Sequence, residues 1–90
     1  MYTIVIDYKS GAYVQQVLAQ DAVDALTKWI HTPHIFSIPG LGPASQQRLL
    51  QEIAEADNLP APLNGLQNVW CTTFIIRGAL MLVNIVCTVQ

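Results

Sequence analysis

The chain changes its hydrophobic period twice. Tyr2–Tyr8 (YTIVIDY) and Ala12–Ala19 (AYVQQVLA) are dense in β-branched and aromatic residues, and KSGA separates them. That composition, bounded by a Ser-Gly pair, predicts two strands joined by a hairpin. A two-residue turn at Ser10-Gly11 sets Lys9 against Ala12, Tyr8 against Tyr13, Ile6 against Gln15 and Ile4 against Val17. Side chains alternate between the faces of a strand. One face of the ribbon therefore carries Ile4, Ile6, Tyr8, Tyr13, Val17 and Ala19. The other carries Thr3, Val5, Asp7, Val14, Gln16 and Leu18.

The period then lengthens. Ala22, Ala25, Leu26, Trp29 and Ile30 recur at the spacing of one helix face. Asp21 is placed to cap that helix, and Asp24 lies near its positive end. Thr32 precedes Pro33 and is pushed out of the helical region, which ends the element. The stretch 31–42, HTPHIFSIPGLG, reads as a loop. A second helix is predicted from Gly42 or Pro43 to about Asp57, with Pro at its first position. Leu49, Leu50, Ile53 and Ala54 face inward in this reading, and Arg48, Gln51, Glu52 and Glu55 face water. DNLPAPLNG is the next loop.

The closing segment returns to strand character. VWCTTFII and ALMLVNIVCTV flank Arg77-Gly78, read as a hairpin turn that sets Ile76 opposite Ala79 and Cys71 opposite Asn84. The expected fold class is α+β. The order is ββααββ, a four-stranded antiparallel sheet with two helices packed on one face, forming a single domain over residues 1–90.

In this hairpin both faces are apolar. The core side holds Trp70, Thr72, Phe74, Ile76, Ala79, Met81, Val83, Ile85, Cys87 and Val89. The reverse side holds Val69, Cys71, Thr73, Ile75, Leu80, Leu82, Asn84, Val86 and Thr88. A one-sided antiparallel sheet carries polar residues there. Composition sharpens the point. Hydrophobic residues make up 52% of the 90 residues and charged residues 11%, against about 25% charged in an ordinary domain. Val5, Val14, Leu18, Ile75, Leu80, Leu82 and Val86 are the candidate self-association face, and a homodimer or other homo-oligomer is the expected partner state. A sheet register off by one, or a second hairpin lying centrally and covered within the monomer, would remove that face. A membrane-spanning helix is not the reading, because Thr72, Thr73, Arg77, Gly78, Asn84 and Thr88 interrupt the apolar run.

Charge and chemistry add little. A net charge of −2 gives no general attraction to nucleic acid or to anionic lipid. MYTIVIDYKSG has no basic segment before a long apolar run, so a reducing cytoplasm is the expected compartment and both cysteines are expected as thiols. Cys71 and Cys87 fall on opposite faces of the hairpin and cannot bridge each other. His31-x-x-His34 is the only metal-like spacing, and two ligands are too few. A buried strand thiol is inert unless a base activates it. No catalytic residues, metal or cofactor are assigned.

One motif stands apart. IPGLGPASQQRLL, Ile38–Leu50, resembles the hairpin of helix-hairpin-helix DNA-binding modules: apolar, Pro, Gly, apolar, Gly, then a helix. The resemblance implies phosphate binding at Gly40, Gly42, Ser45 and Arg48, where backbone N–H groups open a helix. Pro43-Ala44-Ser45 stands where that family usually carries a basic residue. The first 28 or so positions also resemble HicB-type antitoxins in their order of strand, hairpin and amphipathic helix, with Gly11, Tyr13, Ala25 and Leu26 at fitting places. That likeness implies a small protein-binding domain. The functional expectation is a small non-enzymatic cytoplasmic module that self-associates; nucleic-acid or phosphate binding through the Gly40-Leu41-Gly42 loop is the alternative.

Overall fold

The computed structural model describes residues 1–9, 11–55, 59–63 and 65–88. The opening hairpin forms from β1 (Tyr2–Tyr8) and β2 (Gly11–Val17). Its register differs from the expected one by two residues: Tyr8 pairs with Gly11, Ile6 with Tyr13 and Ile4 with Gln15. Lys9 takes the left-handed conformation, φ 56°, and so carries the reversal that the sequence assigned to Ser10-Gly11. Ser10 lies outside the described residues. A slip of two leaves every side chain on its predicted face, since the strand period is two.

Helix α1 (Ala22–His31) starts on an acidic clasp. The Asp21 carboxylate accepts from the Asp24 amide at 2.8 Å, and Asp24 in turn accepts from the Gln20 amide at 3.0 Å. Asp21 thus satisfies a donor that the first helical turn leaves open, and Asp24 reaches back to the residue before the cap. Thr32 is extended, ψ 149°, ahead of Pro33, and the helix ends there as expected. Pro33–Ser37 forms a 3₁₀ turn, and α2 spans Pro43–Ala54. Of the inward set predicted on α2, Leu49 is buried, Leu50 and Ile53 are half-buried, and Ala54 is exposed. The predicted end of this helix, Asp57, lies outside the described residues.

The sheet has five strands, not four. The additional one is β3 (Ala61–Pro62), two residues paired with Cys71 and Trp70 of β4 (Val69–Ile76). β5 (Ala79–Cys87) closes the chain's second hairpin in the predicted register, Ile76 to Ala79 and Cys71 to Asn84. Arg77 and Gly78 both adopt positive φ, 51° and 76°, as a type I′ turn requires. The strand order is β2-β1-β5-β4-β3, all antiparallel. The two hairpins therefore join through β1 and β5, the chain's opening and closing strands.

The helices lie on one side of this sheet. Ile4, Ile6, Met81, Val83 and Ile85 lose all solvent contact beneath Leu26, Trp29, Ile30 and Leu49. The Tyr8 hydroxyl donates to the Ile76 carbonyl at 3.0 Å, so a buried polar tip is satisfied across the sheet. Gln46 donates to the Ile30 carbonyl at 2.7 Å and ties α2 to the end of α1. Val89, predicted on this core face, lies outside the described residues.

Candidate functional site

Strand alternation sends half of each strand's side chains away from the helices. Register aligns them into rows. Gln16, Thr3, Val86 and Val69 form one row across β2, β1, β5 and β4. Val14, Val5, Asn84 and Cys71 form the next, followed by Ala12, Asp7, Leu82 and Thr73. Leu80 and Ile75 face each other beside the turn. Six of the seven residues of the predicted self-association face thus lie on one side of the sheet, and the seventh, Leu18, is just past the end of β2.

No described element covers this side. Val14 is 64% exposed, Leu18 69%, Ile75 51% and Leu80 57%. Val5, Leu82 and Val86, on the two central strands, are half-buried by their neighbours. The exposure does not come from loose folding. The solvent-accessible surface is 5248 Å², and a compact chain of this mass is expected to expose roughly 5,200 Å².

Five of the fourteen paired positions carry polar side chains: Gln16, Thr3, Asn84, Asp7 and Thr73. Gln16 donates to the Thr3 hydroxyl at 3.2 Å near one corner, and Asp7 is exposed near another. Asn84 is half-buried at the centre, paired laterally with Val5 and Cys71 and flanked along β5 by Leu82 and Val86.

The other candidate groups are scattered. His31 and His34 are both exposed, and among the described residues no three His, Cys, Asp or Glu side chains gather to hold a metal ion. His34 borders a cleft of about 260 Å³ with Tyr13, Gln15, Trp29 and Ser37; its lining contains neither a carboxylate nor a thiol. Cys71 points to the open face and Cys87 to the core side, and both are free thiols. Beside Cys87, burial and then the neighbouring thiol push the Tyr2 phenol above its ordinary pKa. Among the described residues no helix is long and apolar enough to cross a membrane.

The glycine motif divides. Gly40 has φ 90° and lies against Tyr8 and Lys9, where a β-carbon would sit 3.7 Å from each. Its role is a reversal that L-residues rarely adopt. Gly42 is the N-cap of α2 and is extended. Ser45 and Arg48 lie farther on and share a second cleft with Arg77. Local pattern assigns Arg77 only to a turn; no spacing could have linked it to α2, because the fold alone brings them together.

No family model, curated protein or solved structure matches the chain.

Proposed function

We propose that the protein is a small non-enzymatic interaction module that pairs with a second copy of itself through the open face of its sheet. The observation that carries this reading is the exposed pair Ile75 and Leu80, continuous along β5 with Leu82 and, past Asn84, with Val86. Same-face residues are about 6.7 Å apart along a strand and strands about 4.8 Å apart, so fifteen or so positions tile roughly 500 Å². Two copies then bury about 1,000 Å², the lower bound for a specific interface, before side-chain relief is counted.

Asn84 favours a second copy over an unrelated apolar partner. Its amide sits amid apolar neighbours, and covering it without a hydrogen-bond partner costs about 1–3 kcal/mol. A two-fold axis near β5 brings a second Asn84 amide to meet it, and an amide both donates and accepts.

Sedimentation velocity across the micromolar range tests the reading. A dimer that dissociates on dilution is expected. Leu82→Lys places a charge in the middle of the contact and should weaken association by about 2–4 kcal/mol while leaving the circular dichroism of the monomer unchanged. A chain that stays monomeric at the highest concentration overturns the proposal.

A further inference from the structure

A second, independent site lies on the helix side of the sheet, at the end where β4 turns into β5. Ala44, Ser45 and Arg48 of α2 form one wall of a cleft of about 360 Å³, and Ile76 and Arg77 form the other. We propose that this cleft binds the terminal phosphate group of a small phosphorylated molecule. Four observations converge on a tetrahedral anion. The chain has only four basic side chains, and two of them line this one cleft. The N-cap of α2 is a glycine with no side chain to cap the helix, and Pro43 follows it. The amides of Ala44 and Ser45, two residues that line the cleft, therefore have no intrahelical acceptor, at the positive end of a helix twelve residues long. Finally, Ser45 is only 9% exposed, lines the cleft, and its hydroxyl makes no hydrogen bond among the described residues. The Ser45 hydroxyl is a donor at the cleft, and an oxyanion there would accept from it.

Charge selects the ligand class. A phosphate monoester carries about −1.5 to −2 at neutral pH with three strong acceptor oxygens, which matches two guanidinium groups on opposite walls. Arg48 contacts Glu52 through Nε at 3.6 Å, and a guanidinium fork carries further donors suited to a phosphate. A phosphodiester backbone offers one charge per phosphate and needs a basic track along its length, which four basic side chains in a chain of net charge −2 do not build. Gly40, against Tyr8 and Lys9, is not part of this cleft.

The test is a ¹⁵N-resolved NMR titration of the full chain at low salt with three probes: inorganic phosphate, glycerol phosphate and a single-stranded oligonucleotide lacking terminal phosphates. Shifts of the Ala44 and Ser45 amides with both phosphate probes are expected, and none with the oligonucleotide. A response to inorganic phosphate alone would overturn the phosphorylated molecule as ligand, and a response to the oligonucleotide alone would overturn the monoester class. Arg77→Asn removes the guanidinium while leaving Asn-Gly, a favoured type I′ pair, so the hairpin is retained. It should weaken binding about tenfold or more, as should Arg48→Gln. Absence of amide shifts at α2, or affinity unchanged in Arg77→Asn, overturns the site. Because the cleft is on the helix side, the readout does not depend on whether the open faces pair.

Discussion

The two faces of the sheet are built from the same kinds of residue and meet opposite fates. On β5, Met81, Val83 and Ile85 are fully buried, whereas Leu80, one position along, is 57% exposed. On β4, Phe74 is buried and Ile75 exposed. Side-chain chemistry does not separate these neighbours; what differs is the layer above them. One face has α1 and α2, and the other has nothing among the described residues. Hydrophobicity therefore specifies that a surface is to be covered, and topology specifies by what. Among the described residues the two α-helices cover one face, and the second apolar face has no cover.

Phe74 and Ile75 give the largest contrast. Phe74→Ala empties a ring-sized volume under the helices and should cost about 3–5 kcal/mol. Ile75→Ala removes a side chain that a lone chain exposes by half, and at high dilution it should change stability by no more than about 1 kcal/mol. Urea unfolding at several protein concentrations measures both. Under the proposed pairing of open faces, the Ile75→Ala deficit should grow with concentration, because the wild type would gain more from covering the face. Equal costs for the two variants at high dilution would break the distinction between the faces.

Much of this division is legible in the sequence, for a physical reason. The period of two assigns faces whatever the exact pairing, which is why Ile4, Ile6 and Tyr8 kept their side although the β1–β2 register moved by two. Arg77-Gly78 announced its turn, and the β4–β5 register followed. The stripe of α1 was equally local, from the Asp21 cap to the Thr32-Pro33 stop. What could not be read is what depends on distant chain. β3 is two residues, one of them Pro62, too short to show any period; it is a strand only because β4 offers an edge. The β1–β5 pairing joins the chain's opening and closing strands with no local signal. Ala54 continued the apolar side of α2 by spacing but lies where α2 has outrun the core. The cleft of Ser45, Arg48 and Arg77 belongs to the same class, assembled by a turn meeting a helix start.

The covered face depends on how firmly its layer is held. Asp21 accepts the Asp24 amide at 2.8 Å, and Asp21→Ala removes that cap. The expected cost is about 1 kcal/mol, within the 0.5–2 seen for such caps. It should appear in the urea midpoint and in faster amide exchange along α1, while the β4–β5 amides hold their protection. An unchanged midpoint would mean that burial of Leu26, Trp29 and Ile30 alone secures the helix.

Acid should loosen the same clasp by a smaller step. The hydrogen bond from the Gln20 amide, and then the Lys28 ammonium 3.3 Å away, hold the Asp24 carboxyl below its ordinary pKa. Lys28 also donates to the Leu18 carbonyl at 3.0 Å, so the group links the helix start to the end of β2. A depressed folded-state pKa means that the folded chain binds the proton less readily than the unfolded chain. The stabilisation is fully present above the unfolded value of about 3.9 and is lost as pH falls through it toward the folded value. Asp24→Asn lacks the ionisable group, so the stability gap between it and the wild type should narrow as pH falls from 5 toward 3. Because Asp24 is on the helix layer, the narrowing should be read in α1 exchange before it reaches the paired strands. A gap that stays constant over that range would show that charge at Asp24 contributes nothing to holding the cover over the core.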